Sequence, residues 1–138
     1  MSALAEALVA AQAELPCALG KDADGQIGQR SYRYLTLDKL IEATKPILTK
    51  HGLALIQSPI AVSRGEEGYV PMLRTEVWHA SGDHFESMMP LYLAGKTMQD
   101  FGSAITYARR YAWQSVLGIA AEEDTDGPAA TPEEDIPF

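Results

Sequence analysis

Gln99-Asp-Phe-Gly-Ser-Ala-Ile-Thr-Tyr-Ala-Arg-Arg-Tyr111 reads as a helix with two chemically opposite faces. At about 100° per residue, Phe101, Ile105, Ala108, Ala112, Val116 and Ile119 share one side. Gln99, Ser103, Thr106, Arg110 and Gln114 share the other, flanked by Tyr107 and Trp113. A cation among aromatic rings, amides and hydroxyls suits a nucleic-acid strand. The guanidinium meets phosphate, the rings stack on bases, and the amides and hydroxyls supply hydrogen bonds. The same spacing also fits a solvated Arg pair beside aromatics that pack on a neighbouring element or subunit. Thr97 with Asp100 three residues later resembles a capping box that opens the helix, and Gly118 closes it.

Working upstream, three strands are expected at about 53–62, 70–79 and 84–93. Leu73, Thr75 and Val77 alternate with Arg74, Glu76 and Trp78, and Phe85, Ser87, Met89, Leu91 and Leu93 share a face. Ser81-Gly82-Asp83 makes the hairpin turn between the last two. Before them, Thr36 caps a helix whose stripe is Leu37, Leu40, Ile41, Thr44, Ile47, Leu48 and His51. Pro46 should kink it or begin a new turn, and Gly52 stops it. A short strand is expected at 31–35. Residues 20–30 hold three glycines and almost no apolar side chains, so they read as a mobile loop. Residues 2–15 form a first helix with Leu4, Leu8, Ala11 and Leu15 on one face, and Pro16 ends it. That stripe has few large residues and hangs on the loop, which suits packing on a neighbouring subunit. The sum is an α+β fold: an antiparallel β-meander of about three to four strands packed with helices.

The net charge of −8 argues against a nucleic-acid partner until its distribution is read. All 11 Lys and Arg lie before residue 111, and 12 of the 19 acids lie before residue 121, leaving the body at −1. The other seven acids sit in a stretch with no base, so a local basic groove on the body remains open. After Glu122 large apolar residues nearly vanish until Ile136. Two regions follow: a domain over 1–120 and a disordered acidic tail over 121–138. No apolar run reaches the roughly 18–20 residues needed to span a bilayer, and the first residues lack the basic start of a secretory signal. Cys17 is the single cysteine, so no internal disulfide forms and a cytoplasmic setting is the default, the host cytoplasm if the chain is phage-encoded. No membrane partner is expected.

Gly-Ser-Ala-Ile-Thr-Tyr-Ala-Arg-Arg-Tyr (102–111), then Leu117-Gly118-Ile119 and Glu123-Asp-Thr-Asp-Gly127, resembles the ERF family of phage recombination proteins. Tyr32-Arg-Tyr34, Leu37-Asp38, Pro46-Ile-Leu48 and His51-Gly-Leu53 fit the same family in the same order. The likeness runs from about Tyr32 to Gly127. It implies ATP-independent single-strand annealing, single-stranded DNA as partner, a curved antiparallel sheet backed by helices, and homo-oligomeric rings or helical filaments. Tyr107, Arg109, Arg110 and Lys96 are the leading DNA-binding candidates, with Arg33, Tyr34 and Arg74 next. Lys96 precedes the long helix, Arg33 accompanies Tyr34 on the short strand, and Arg74 lies beside Trp78. Each alone reads as an ordinary surface cation.

Asp135-Ile136-Pro137-Phe138, after Glu133-Glu134, resembles the acidic tip of bacterial single-stranded-DNA-binding proteins. Such a tip docks on DNA-maintenance enzymes: the terminal Phe enters an apolar pocket and the acids meet a basic rim. Host proteins that recognise that tip are therefore expected partners. A recombination adaptor that recruits them without annealing is the second reading. A metal-dependent nuclease ranks third, because Asp38, Glu42, Glu76, Glu86 and Asp100 read as surface and capping acids. His79, Asp83 and His84 flank one turn without a further ligand, and Asp124-Thr-Asp126-Gly127 lacks the later ligands of a calcium loop. No Gly-rich phosphate loop is present. No cofactor, metal or catalytic residue is expected, and the protein is read as a non-enzyme.

Overall fold

The computed structural model describes residues 2–122. The expected tail from residue 123 on, including the tip at 135–138, lies outside the described residues. The elements are α1 (Ala3–Glu14), β1 (Ala18–Leu19), β2 (Ala23–Ile27), β3 (Arg30–Tyr34), α2 (Leu37–Lys50), β4 (Leu53–Ser63), β5 (Tyr69–His79), β6 (His84–Pro90), α3 (Met98–Leu117) and β7 (Ala120–Ala121). The fold is α+β, as expected, with β2–β3 and β4-β5-β6 antiparallel and the short β1–β7 pair parallel.

Helix α3 begins where its side chains satisfy the first backbone donors. The Thr97 hydroxyl accepts from the Asp100 backbone N–H at 3.0 Å, and the Asp100 carboxylate accepts from the Thr97 N–H at 3.1 Å. A Cβ on Gly95 would collide with that carboxylate, so the cap needs glycine there. Gly118 ends the helix at φ 71°, where the left-handed conformation suits a residue without Cβ. In α2 the Thr36 hydroxyl accepts from the Lys39 N–H, and the helix runs unbroken through Pro46.

The meander β4-β5-β6 is antiparallel throughout. Its third strand stops at Pro90, short of the expected 93. Leu73, Thr75 and Val77 are buried under the helices. One cluster joins Leu73 and Leu91 to Ala108 and Ala112, with Phe101, Ile105 and Met89 packed against it. A larger cluster joins Ala7, Ala11 and Leu15 of α1 and its end to Leu40, Leu48, Leu53, Val77, Trp113 and Leu117.

Four expectations are corrected. Residues 20–30 are not a loop: β2 pairs with β3 from Ala23↔Tyr34 to Ile27↔Arg30. Gly28, at φ 63°, takes the first position of the two-residue turn, as a primed turn demands. Asp22 pins this hairpin to α2, its carboxylate accepting from the Thr36 N–H at 2.8 Å and the Thr36 hydroxyl at 2.7 Å. Helix α1 is not left for a neighbour: Ala11 is 1% exposed in the chain's own core. The Gln12 amide donates to Leu117 O at 2.7 Å. Trp113 does not flank the polar face of α3. It is 5% exposed, and its indole N–H donates to the Thr44 hydroxyl at 3.0 Å. The early part of α3 packs on the sheet cluster and its last turns on the α1–α2 cluster, so the buried arc rotates along the helix. Ala121, counted with the tail by composition, pairs with Leu19 in the parallel β1–β7 ladder.

Glu14 ties the end of α1 to the end of α2. Its carboxylate bonds the Lys50 ammonium at 2.7 Å and also contacts the His51 ring. The Lys50 hydrogen bond, then that of His51, holds its carboxyl below the ordinary value of 4.5. A depressed carboxyl contributes stability above its unfolded value and loses it as pH falls through the folded value. We expect Glu14→Gln to melt slightly below wild type at neutral pH, with the gap closing as pH falls below 4.5. Thermal melts of both proteins between pH 3 and 7 check this, and a gap that persists at the acid end removes the assigned tie.

Candidate nucleic-acid interface

Arg110 sits on the solvent arc of α3, where three tyrosines converge on it. Its guanidinium carbon lies 4.9 Å from the ring centroid of Tyr34, 5.2 Å from Tyr107 and 5.3 Å from Tyr111. Two elements build this arrangement. Tyr107 and Tyr111 are one helical turn apart on α3, with centroids 4.7 Å apart. Tyr32 and Tyr34 alternate onto one face of β3, with centroids 5.9 Å apart. Across the hairpin Tyr32 lies over Gly25, where a Cβ would come within 2.6 Å of the ring. That glycine lets the ring lie flat on the strand.

An open groove runs between hairpin and helix. It is lined by Tyr32, Tyr34, Gln99, Gly102, Ser103, Thr106, Tyr107 and Arg110. Arg110 is its one ionic group. Among the described residues no carboxylate is ion-paired with Arg110, so its charge is met only by ring faces. Cation–π contacts of this kind leave the N–H edges of a guanidinium available to an anion.

A second recess adjoins the first across Tyr34, Thr106 and Arg110. Arg109 lines it with Leu37, Asp38 and Ile41. The Arg109 Nε is buried without a hydrogen-bond partner among the described residues. Its backbone carbonyl accepts from the Gln57 amide at 3.1 Å, which fixes the middle of α3 on the sheet. Asp38 shares the recess, but among the described residues it forms no ion pair with either arginine.

The structure thus gathers Tyr34, Tyr107, Arg109 and Arg110. It does not gather the rest. Arg33 alternates to the other face of β3, where it donates to Lys21 O at 2.8 Å and lies 3.6 Å from Asp24. Arg74 is on the sheet face opposite α3, with Glu76 at 3.2 Å and Glu86 at 3.9 Å matching its charge. Lys96 is exposed in the link before α3 and does not line the groove. Tyr32, Tyr111 and Gly102 were not among the sequence candidates. The four-residue spacing of Tyr107 and Tyr111 was the available signal for one of them, and strand alternation with Tyr34 for another.

On the opposite sheet face Trp78 stacks on His84 at 3.9 Å and donates to Glu76 at 2.9 Å. His79 is held by Ser81. Among the described residues no group of three or more His, Cys, Asp or Glu side chains converges as a metal site. No helix among them is long and apolar enough to cross a membrane.

A family model described as the ERF superfamily matches residues 4–136. No curated protein and no solved structure matches the chain.

Proposed function

The chain belongs to the ERF superfamily, and from that membership we propose that it binds single-stranded DNA and anneals complementary strands without ATP, in phage-type recombination. The observation that carries the reading is Arg110 among Tyr34, Tyr107 and Tyr111, with no ion pair among the described residues. Its guanidinium takes a phosphate, and the flanking rings stack on bases of any sequence. Gln99, Ser103 and Thr106 offer short polar groups along the same groove without a motif that reads base edges. A strand held by its backbone and base faces keeps its pairing edges for a complement.

No bond is made or broken in this activity. The work is positioning: bringing two strands together at high local concentration in an extended form. One small body spans only a few nucleotides, so the reading includes a ring or helical filament of copies. Residues 1–120 form the annealing unit in this scheme. The Asp135-Ile136-Pro137-Phe138 stretch favours a second, compatible role as an adaptor, in which it recruits host repair proteins.

Two arginines face the grooves, so binding should release few counterions. The logarithm of affinity should fall against the logarithm of salt with a slope of about 0.7 to 1.4 per subunit. Annealing of complementary oligonucleotides, followed by fluorescence without ATP, tests the function on the full chain and on a chain lacking residues 123–138. Annealing by both, with capture of tip-recognising proteins by the full chain alone, is the expected result. No acceleration of annealing by either protein overturns the main reading. Capture without annealing leaves the adaptor.

A further inference from the structure

Gly102 occupies an interior turn of α3 for no reason internal to the described protein. Its backbone is outside the positive-φ region that Gly28 and Gly118 occupy. Among the described residues a Cβ built on it would meet nothing within 4 Å, so none of them demands the small residue. Glycine is nevertheless the costliest residue after proline in a helix interior. A local rule broken without compensation inside the fold is the mark of a site where something else approaches.

The bare position lines the groove together with Tyr32 and Tyr107. We infer that Gly102 is the floor of a subsite for one nucleobase of a bound single strand, laid with its flat face against the helix backbone. This rests on the groove being a DNA interface and names the part of the strand that meets it here. A base fits better than a phosphate. The helix N-terminus close by is already closed by the Asp100 carboxylate, which repels an anion. The groove's cation, Arg110, lies eight residues further along the helix, about 12 Å away. A ring plane needs only flat apolar contact and the absence of a methyl group to hold it off.

The test compares two labelled probes with equal numbers of phosphates: an oligothymidine and the same oligomer with abasic residues. Affinity for each is measured by fluorescence anisotropy with wild type and Gly102→Ala. The substitution should raise the melting temperature by about 3–5 °C, since alanine favours the helix. It should weaken oligothymidine binding about fivefold or more, as an added methylene does in a filled space. Binding of the abasic probe should not change. Equal affinity of both proteins for oligothymidine overturns the subsite. Equal weakening on both probes also overturns it, since the contact would then be with the DNA backbone or with subunit assembly. A wild type that retains neither probe removes the DNA reading of the whole groove.

Discussion

Replacing Arg110 with Ala should leave the fold standing and lower the proposed affinity for single-stranded DNA by about 10- to 100-fold, whatever the sequence of the strand. The side chain is half-buried among tyrosine rings and, among the described residues, makes no ion pair that the fold depends on. A charge-assisted hydrogen bond contributes about 1.5–3 kcal/mol, and that is the contact removed. The salt slope should fall by about 0.7 at the same time, the mark of one lost phosphate per subunit. Arg110→Lys should recover part of the affinity only. An ammonium keeps the charge but loses the planar fork and the stacking on three rings. Anisotropy titrations at several salt concentrations measure both quantities, with circular dichroism and light scattering on the same samples. An Arg110→Ala protein that folds, assembles and binds as wild type takes Arg110 out of the interface.

The largest effect on stability is expected at Trp113. Trp113→Ala should cost about 3–5 kcal/mol, the usual range for deleting a buried aromatic. That is a large share of a typical total of about 5–15 kcal/mol for a small domain. The reason is position as well as size. Trp113 packs with Leu40, Leu48, Val77 and Leu117, where α1, α2 and the sheet meet, and its indole N–H holds the fully buried Thr44. Thr44 in turn donates to Leu40 O at 2.8 Å. Thr44→Val nearly preserves shape but strands the indole donor, so a smaller loss of about 1–3 kcal/mol is expected. Urea denaturation of the three proteins decides the matter. A Trp113→Ala loss below about 1 kcal/mol would contradict this core.

The parts of the fold that were legible in the sequence are those set within a few residues. The Thr97–Asp100 box, the Gly118 stop, the Thr36 cap and the alternation of Leu73, Thr75 and Val77 each depend on near neighbours along the chain. So does the placement of Tyr107, Ser103 and Arg110 on one helical arc. The strand at 31–35 is legible and matches β3, but its partner β2 is not, because Ala23–Ile27 holds little apolar surface and its strand period leaves no hydrophobic trace. Trp113 was misplaced because one axis of amphipathicity was drawn along a helix that changes partners midway.

The charge of each basic candidate could not be judged from the sequence, because whether a cation is free depends on what stands beside it in space. Arg74 meets Glu76 on its own strand and Glu86 across the ladder, and Arg33 meets Asp24 across a hairpin that was not foreseen. Among the described residues Arg110 meets tyrosine rings and no carboxylate. One of those rings, Tyr34, comes from a strand 76 residues earlier in the chain. Helix periodicity by itself determined that an arginine and a tyrosine share the exposed arc of α3. Only the tertiary structure decided which arginine stands without an acidic partner among the described residues. Ion pairing falls off within a few ångströms, and those few ångströms are set by the packing of hairpin, helix and sheet.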